Sequence, residues 1–307
     1  MTIVIAGSTG LVGSAITRAL IGRGQSVIGI NRKVVDLLDR KATFEFINAA
    51  KPDLVIDAAA IVGGIGANNN FPVDFLSKNI QMQSNLMDAA HAANVERFVF
   101  LGSSCIYPRD CAQPIKEEYL MTGPLEQTNS AYAVAKIAGI ELIRSYRKQF
   151  NRKWISLMPT NMYGPNDNFD LESSHVLPAL INRFITALKN GDRSVTLWGT
   201  GSPKREFLHV DDLATATLLA VEKYDDGAHL NVGTGEDLPI ADLASMISRL
   251  SGFNGKIEWD SSKPDGTPRK VLDVTKMKNL GWAPAISLEA GIASTIEWFK
   301  DNSMAKR

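Results

Sequence analysis

Short apolar runs alternate along the chain with stretches of helical spacing. Thr2-Ile3-Val4-Ile5-Ala6 ends at Gly7, and apolar residues then recur at Val12, Ile16, Ala19 and Leu20. The run predicts a first strand and the spacing an amphipathic helix. Further strands are predicted over Ser26–Ile30, Leu54–Asp57, Arg97–Leu101 and Trp154–Met158, with helices over about 73–93 and 131–150. Strands separated by helices of this length imply right-handed crossovers and a parallel sheet. Their nearly continuous apolar character suits a sheet covered on both faces. After about Pro165 glycine and proline become frequent, and the strand rhythm returns only at Phe207–Val210 and His229–Val232.

The first strand runs into Gly7-Ser8-Thr9-Gly10-Leu11-Val12-Gly13, a GxxGxxG that opens the first helix. Such glycines permit a tight turn, close approach to a pyrophosphate and close helix–strand packing. The helix N–H groups of Leu11, Val12 and Gly13 then face the phosphates. The expected fold class is therefore α/β: a Rossmann-type doubly wound parallel sheet with a smaller mixed α/β C-terminal substrate lobe. The expected division is a dinucleotide-binding domain over residues 1–165, with return segments near 205–235. Residues 166–204 and 236–307 are expected to form the substrate lobe. An NAD site usually has an acid at the end of the second strand. Here that position reads Asn31-Arg32-Lys33, which favours NADP, with Arg32 on the 2′-phosphate. Asp36 and Asp39, a little further on, leave NAD as the alternative.

Composition narrows the picture by exclusion. The chain has 307 residues, and 33 Lys+Arg balance 33 Asp+Glu. That balance removes the electrostatic argument for nucleic acid or an acidic membrane surface. Two cysteines are too few for a disulfide scaffold or a cysteine-only zinc site, and no metal is expected. No apolar run reaches the roughly 18 residues of a membrane span, and residues 1–7 lack a signal-peptide pattern. A reducing, cytoplasmic setting is expected.

Tyr132-Ala133-Val134-Ala135-Lys136 places a phenol and an ammonium on one face of a predicted helix. A neighbouring cation is expected to lower the phenol's pKa, letting Tyr132 exchange a proton near neutral pH. The fourth strand ends in Ser103, which can donate to a carbonyl oxygen alongside Tyr132. The glycine loop, Ser103, Tyr132 and Lys136 together resemble the extended short-chain dehydrogenase/reductase family, which acts mainly on nucleotide sugars.

Longer stretches sharpen the resemblance. They include Val62-Gly63-Gly64-Ile65, Ser103-Ser104-Cys105-Ile106-Tyr107-Pro108, Met158 to Phe169, Ser174 to Leu180, Arg205 to Asp212 and Lys263 to Lys270. They are similar to the epimerase/reductase branch that takes GDP-bound 4-keto-6-deoxy sugars. That resemblance implies Cys105 and His175 as the proton-transfer pair for inverting C3 and C5. It implies Ser103 and Tyr132 at the sugar oxygen, and Lys136 and His175 against the cofactor. It further implies Asn161, Arg183, Trp198, Arg205 and Lys270 as ligands of the GDP-sugar. The branch often carries His-Arg where this chain has Ser8-Thr9, so Arg32 is left with more of the 2′-phosphate. His209 reads as structural, and Cys111 has no assigned role. A dehydratase is disfavoured because Ser103–Pro108 contains no acid. A colitose-forming relative remains open, and a non-catalytic dinucleotide sensor would be expected to have lost Tyr132 or Lys136. The resemblance implies a homodimer through helices near 73–93 and 131–150. Phe75, Leu76, Ile80, Leu86 and Ile143 suit that bundle or packing on the sheet equally.

Overall fold

Four apolar residues with no polar interruption make β1 (Ile3–Ala6), and all four are buried. The computed structural model describes residues 1–263 and 265–304. After β1 come α1 (Leu11–Gly22), β2 (Val27–Ile30), α2 (Arg40–Ala50), β3 (Leu54–Asp57) and α3 (Ile65–Asn70). They are followed by α4 (Asn79–Ala92), β4 (Arg97–Leu101), α5 (Ser130–Phe150), β5 (Ile155–Pro159) and β6 (Asn161–Tyr163). Next are α6 (Val176–Asn190), β7 (Ser194–Trp198), β8 (Lys204–Arg205), β9 (Phe207–His209), α7 (Val210–Lys223) and β10 (Leu230–Val232). The remaining elements are β11 (Leu238–Pro239), α8 (Ile240–Ser251), β12 (Lys256–Asp260), β13 (Arg269–Lys270), α9 (Thr275–Asn279) and α10 (Leu288–Met304).

Six strands form one sheet in the order β10-β5-β4-β3-β1-β2, and every pair is parallel. This is the expected Rossmann-type sheet. Alternate side chains enter two cores. Val4, Val55, Phe98 and Phe100 pack on the α4/α5 side, and Ile3, Ile5, Ile56 and Val99 on the α1/α7 side. A third core joins α6, α8 and α10 with β7, and takes in Tyr163 and Phe207. The chain leaves β1 toward β2 on one side and returns to β3 on the other. Such a divergence opens a crevice beyond the carboxyl ends of the strands.

Two elements differ from their sequence reading. The helix expected over 73–93 begins as a wide π turn, Asp74–Lys78, before α4. The amide of Asn79 accounts for the distortion locally. It donates to the carbonyls of Phe75 at 2.7 Å and Ile61 at 3.0 Å, and accepts from the Ile61 N–H at 2.8 Å. The Phe207–Val210 strand stops at His209, because Val210 opens α7, and it pairs with β6 outside the main sheet.

Candidate active site

The glycine loop has the geometry its sequence demands. Gly7 has φ of +74°, and a Cβ there would lie 2.7 Å from the Ala58 carbonyl oxygen. A Cβ on Gly13 would come within 2.1 Å of the Gly7 carbonyl oxygen. Gly10 caps α1 without any side-chain bond to the helix, so the N–H groups of Leu11, Val12 and Gly13 keep their free direction toward the crevice. The first turn also holds no acid to compete with an anion. Arg32 follows β2, is exposed, and makes no hydrogen bond or ion pair among the described residues. Asp36 accepts from the N–H of Leu38, and Asp39 caps α2 through the N–H of Ala42. The acids that could have bound a ribose 2′-hydroxyl are thus engaged with backbone. These residues fit a dinucleotide carrying a 2′-phosphate.

Beyond β4, Ser103 accepts from the Cys105 N–H at 3.4 Å and starts a short turn over Ser104–Ile106. Cys105 is buried, and that burial pushes its thiol up against the opposing pull of Lys270 and the Ser103 hydroxyl. Tyr107 anchors the same turn. Its hydroxyl donates to Asn231 Oδ1 at 2.5 Å and lies 2.9 Å from His229 Nε2. The single phenolic hydrogen goes to Asn231, so His229 Nε2 carries the proton between them. Burial pulls His229 down to about 4, so it is neutral at neutral pH. The Asn231 N–H donates to Glu117 Oε1 at 3.1 Å, and Glu117 pairs with Lys276 at 3.2 Å. This chain of contacts ties the Cys105 turn to α9. Sequence reading missed it because its members are scattered along the chain.

On α5, Lys136 is buried and donates to the Leu101 carbonyl at 2.8 Å. Its ammonium lies 4.7 Å over the Phe100 ring and 5.8 Å from the Tyr132 ring centre. The expectation of a lowered phenol pKa is corrected here. Burial pushes Tyr132 well above its ordinary value, and the charges of Cys105 and Asp57 add to the shift. Every cause acting on the phenol raises it, desolvation most, so the phenol stays protonated.

His175 occupies the N-cap position of α6, exposed and without a side-chain bond to the helix. Asp170 shapes the loop that delivers it, accepting from the N–H groups of Glu172 at 3.1 Å and Ser173 at 2.9 Å. The Gly64 N–H binds the Ser173 carbonyl at 2.8 Å, and a Cβ on Gly64 would lie 2.5 Å from the Ser174 carbonyl oxygen. The Val62–Ile65 stretch is thus the seat of the His175 loop. Crowding by protein lowers the imidazole's pKa, and Lys270 lowers it further. The Lys270 charge acts on both Cys105 and His175.

The substrate-side residues gather on small sheets. Arg205 on β8 and Lys270 on β13 are direct cross-strand partners in a parallel pair. Burial lowers the pKa of both, and Arg205 lowers that of Lys270 further. Two opposed cations repel unless an anion lies between them. Asn161 donates to the Glu206 carbonyl at 2.8 Å, beside Arg205. Arg183 reaches the Thr196 carbonyl at 3.3 Å, two residues before Trp198. Trp198 is 68% exposed, and the Lys263 ammonium lies over its ring at 5.7 Å from the centre. Pro264, within the Lys263–Lys270 stretch, lies outside the described residues. His209 is buried and accepts from the Asp211 N–H at 3.3 Å, as a structural cap of α7. Sequence reading also passed over Asp57, which is buried beside this centre with one unpartnered oxygen.

A phosphate loop at the strand divergence, with Ser103, Tyr132 and Lys136 beyond it, defines a dinucleotide-dependent enzyme of the extended short-chain dehydrogenase/reductase type. The chain belongs to the NAD dependent epimerase/dehydratase family, which it matches over residues 3–233. The GDP-L-fucose synthase of Escherichia coli (strain K12) is 49% identical over 310 residues, covering 98% of this chain and 97% of the relative. The GDP-L-colitose synthase of Yersinia pseudotuberculosis is 37% identical, covering 97% and 98%. The crystal structure of a GDP-L-fucose synthetase from Naegleria fowleri bound to NADP superposes with a TM-score of 0.91 at 30% identity, covering 99% and 95%.

Proposed function

We propose that the protein converts GDP-4-keto-6-deoxy-D-mannose to GDP-L-fucose, inverting C3 and C5 and then reducing C4 with NADPH. The observation that carries this reading is the Cys105 thiol, set two residues after Ser103 and sharing the field of Lys270 with His175. A plain reductase needs Ser103, Tyr132 and Lys136 alone. Inversion needs a further pair, one to remove a proton and one to return it on the other face. The higher identity to the Escherichia coli synthase than to the Yersinia colitose enzyme favours the fucose product.

The C4 ketone makes the protons on C3 and C5 acidic. Burial favours the protonated Cys105 thiol, and crowding by protein with the Lys270 charge favours the neutral His175 imidazole, so the resting pair offers one donor and one acceptor. Ser103 and Tyr132 donate to the C4 oxygen and hold the enolate charge that develops there. When bound, NADPH supplies the hydride to C4. Tyr132, held protonated by burial, gives its proton to the same oxygen. Lys136 and His175 line the nicotinamide end, and Gly7, Gly10, Leu11, Val12 and Gly13 cradle the pyrophosphate. Arg32 takes the 2′-phosphate. Arg183, Arg205, Lys270 and Asn161 hold the GDP diphosphate and sugar, and Trp198 stacks on guanine. Guanidinium groups suit phosphate through paired donors.

The working unit is a homodimer. Phe75, Leu86 and Ile143 are buried in the chain's own core, whereas Leu76 and Ile80 are only half-buried, and Phe71, Val73 and Val134 are exposed nearby. These leave an apolar strip for a second copy. The two cysteines are both free, which suits a reducing cytoplasm. The third core supports a division into a cofactor domain and a substrate lobe, while Leu272, Val274, Met277 and Trp282 of that lobe pack into the first two cores. The test is one incubation with GDP-4-keto-6-deoxy-D-mannose and NADPH in deuterated water. Loss of NADPH absorbance with deuterium at C3 and C5 of an L-fucose product is expected. No NADPH loss and no deuterium would refute the substrate, and a colitose-type substrate turned over faster would assign the rival.

A further inference from the structure

We propose that Asp57 is the buried counter-charge of Lys136 and so a positioning residue for the reductive half of the site. Asp57 ends β3 at the strand divergence, where its backbone partners are Ala6 and Phe100. Val55 and Phe100 pack in the α4/α5 core and Ile56 in the opposite one. Alternation along the strand puts the Asp57 side chain on the same face as Val55. It therefore rises beside the Phe100 ring, over which the Lys136 ammonium lies at 4.7 Å.

The carboxylate is 1% exposed. Its Oδ1 accepts from the Ala59 N–H at 3.1 Å, and Oδ2 has no hydrogen-bond partner among the described residues. Lys136 is 3% exposed, and the one hydrogen bond found for its three donors goes to the Leu101 carbonyl. A buried charge without a compensating partner is costly. Here two such groups of opposite sign share one face of the sheet, apart by more than the 4.0 Å of a direct ion pair. Burial pushes Asp57 up to about 6 and Lys136 down, and each opposes the other's shift. The other titratable groups in this field are Tyr132, on the same face of α5, and Cys105, in the turn after β4. An ionised Asp57 favours the ammonium form of Lys136. Protonation of Asp57 below about pH 6 removes that support.

The consequence for reduction rests on the activity proposed above, but the pairing itself is tested on ligand-free protein. Lysine is labelled with ¹³C at Cε, and Lys136 is identified by the resonance lost in Lys136→Arg. In Asp57→Asn the Lys136 midpoint is expected to fall by about one pH unit or more. Wild type should show a second, smaller inflection of that resonance near pH 6, absent from the variant. An unchanged midpoint in Asp57→Asn, or a wild-type resonance with no inflection near pH 6, overturns the proposal. The wild-type curve decides even if the variant does not fold. A retained Lys136 shift in a protein that fails to turn over the GDP-sugar would overturn the proposed activity and leave the pairing intact.

Discussion

Replacing Lys270 with methionine should move stability and binding in opposite directions. Methionine keeps the length and apolar stem of lysine and removes only the charge. In the ligand-free protein Lys270 faces Arg205 across adjacent parallel strands, about 4.8 Å apart in such a pair. Like charges placed so cost roughly 0.2–1 kcal/mol, and no hydrogen bond to Lys270 is found among the described residues to offset this. Lys270→Met should therefore be as stable as wild type or up to about 1 kcal/mol more stable. In a chain of this size that raises Tm by up to about 1.5 °C. Binding of GDP loses a charge-assisted contact to phosphate, about 1.5–3 kcal/mol. That corresponds to an affinity roughly 10- to 100-fold weaker. Scanning calorimetry without ligand reads the first effect and titration calorimetry with GDP the second. A variant that melts several degrees lower while binding GDP unchanged would refute the reasoning, because Lys270 would then be a strut and not half of an anion site.

Four further outcomes follow from the same geometry. Arg32→Ala should lower the preference for NADPH over NADH by roughly 10- to 100-fold, read from kcat/KM with each cofactor; an unchanged ratio moves the 2′-phosphate contact elsewhere. Tyr132→Phe should slow NADPH oxidation by about 10²- to 10⁴-fold while deuterium still enters C3 and C5, and full reduction would remove its proton-donor role. Cys105→Ser should stop that deuterium entry with little change in stability, and wild-type exchange would deny the thiol any part. His229 takes a proton near 6.5 when unfolded but only near 4 when folded, so stability is full above 6.5, falls as pH drops toward 4, and levels off below. The loss is about 3 kcal/mol at most, and urea melts of His229→Gln should show a flatter acid limb, whereas an equally steep one contradicts the assignment.

The parts of this site that the sequence displays are those in which one short segment carries both the chemistry and its placement. Gly7 to Gly13 is such a segment, because strand, turn and helix start lie within it and the glycines answer to contacts made across it. Tyr132 and Lys136 are another, because four residues of helix fix their common face. What stayed hidden depends on which distant segments meet. Arg205 and Lys270 become partners only through two strands of two residues each, too short for any periodicity to mark. Tyr107, Asn231, Glu117 and Lys276 converge from separate loops and helices, and none carries a local signal of that meeting. The same limit explains the sign error on Tyr132. Sequence supplies the neighbouring cation but not the depth of burial, and at this phenol burial is the largest effect. Asp57 repeats the lesson in reverse, since a polar residue ending a run of buried apolar ones reads as a strand boundary. Only the register against Phe100 places its carboxylate beside the Lys136 ammonium, where an acid has a physical reason to stay buried.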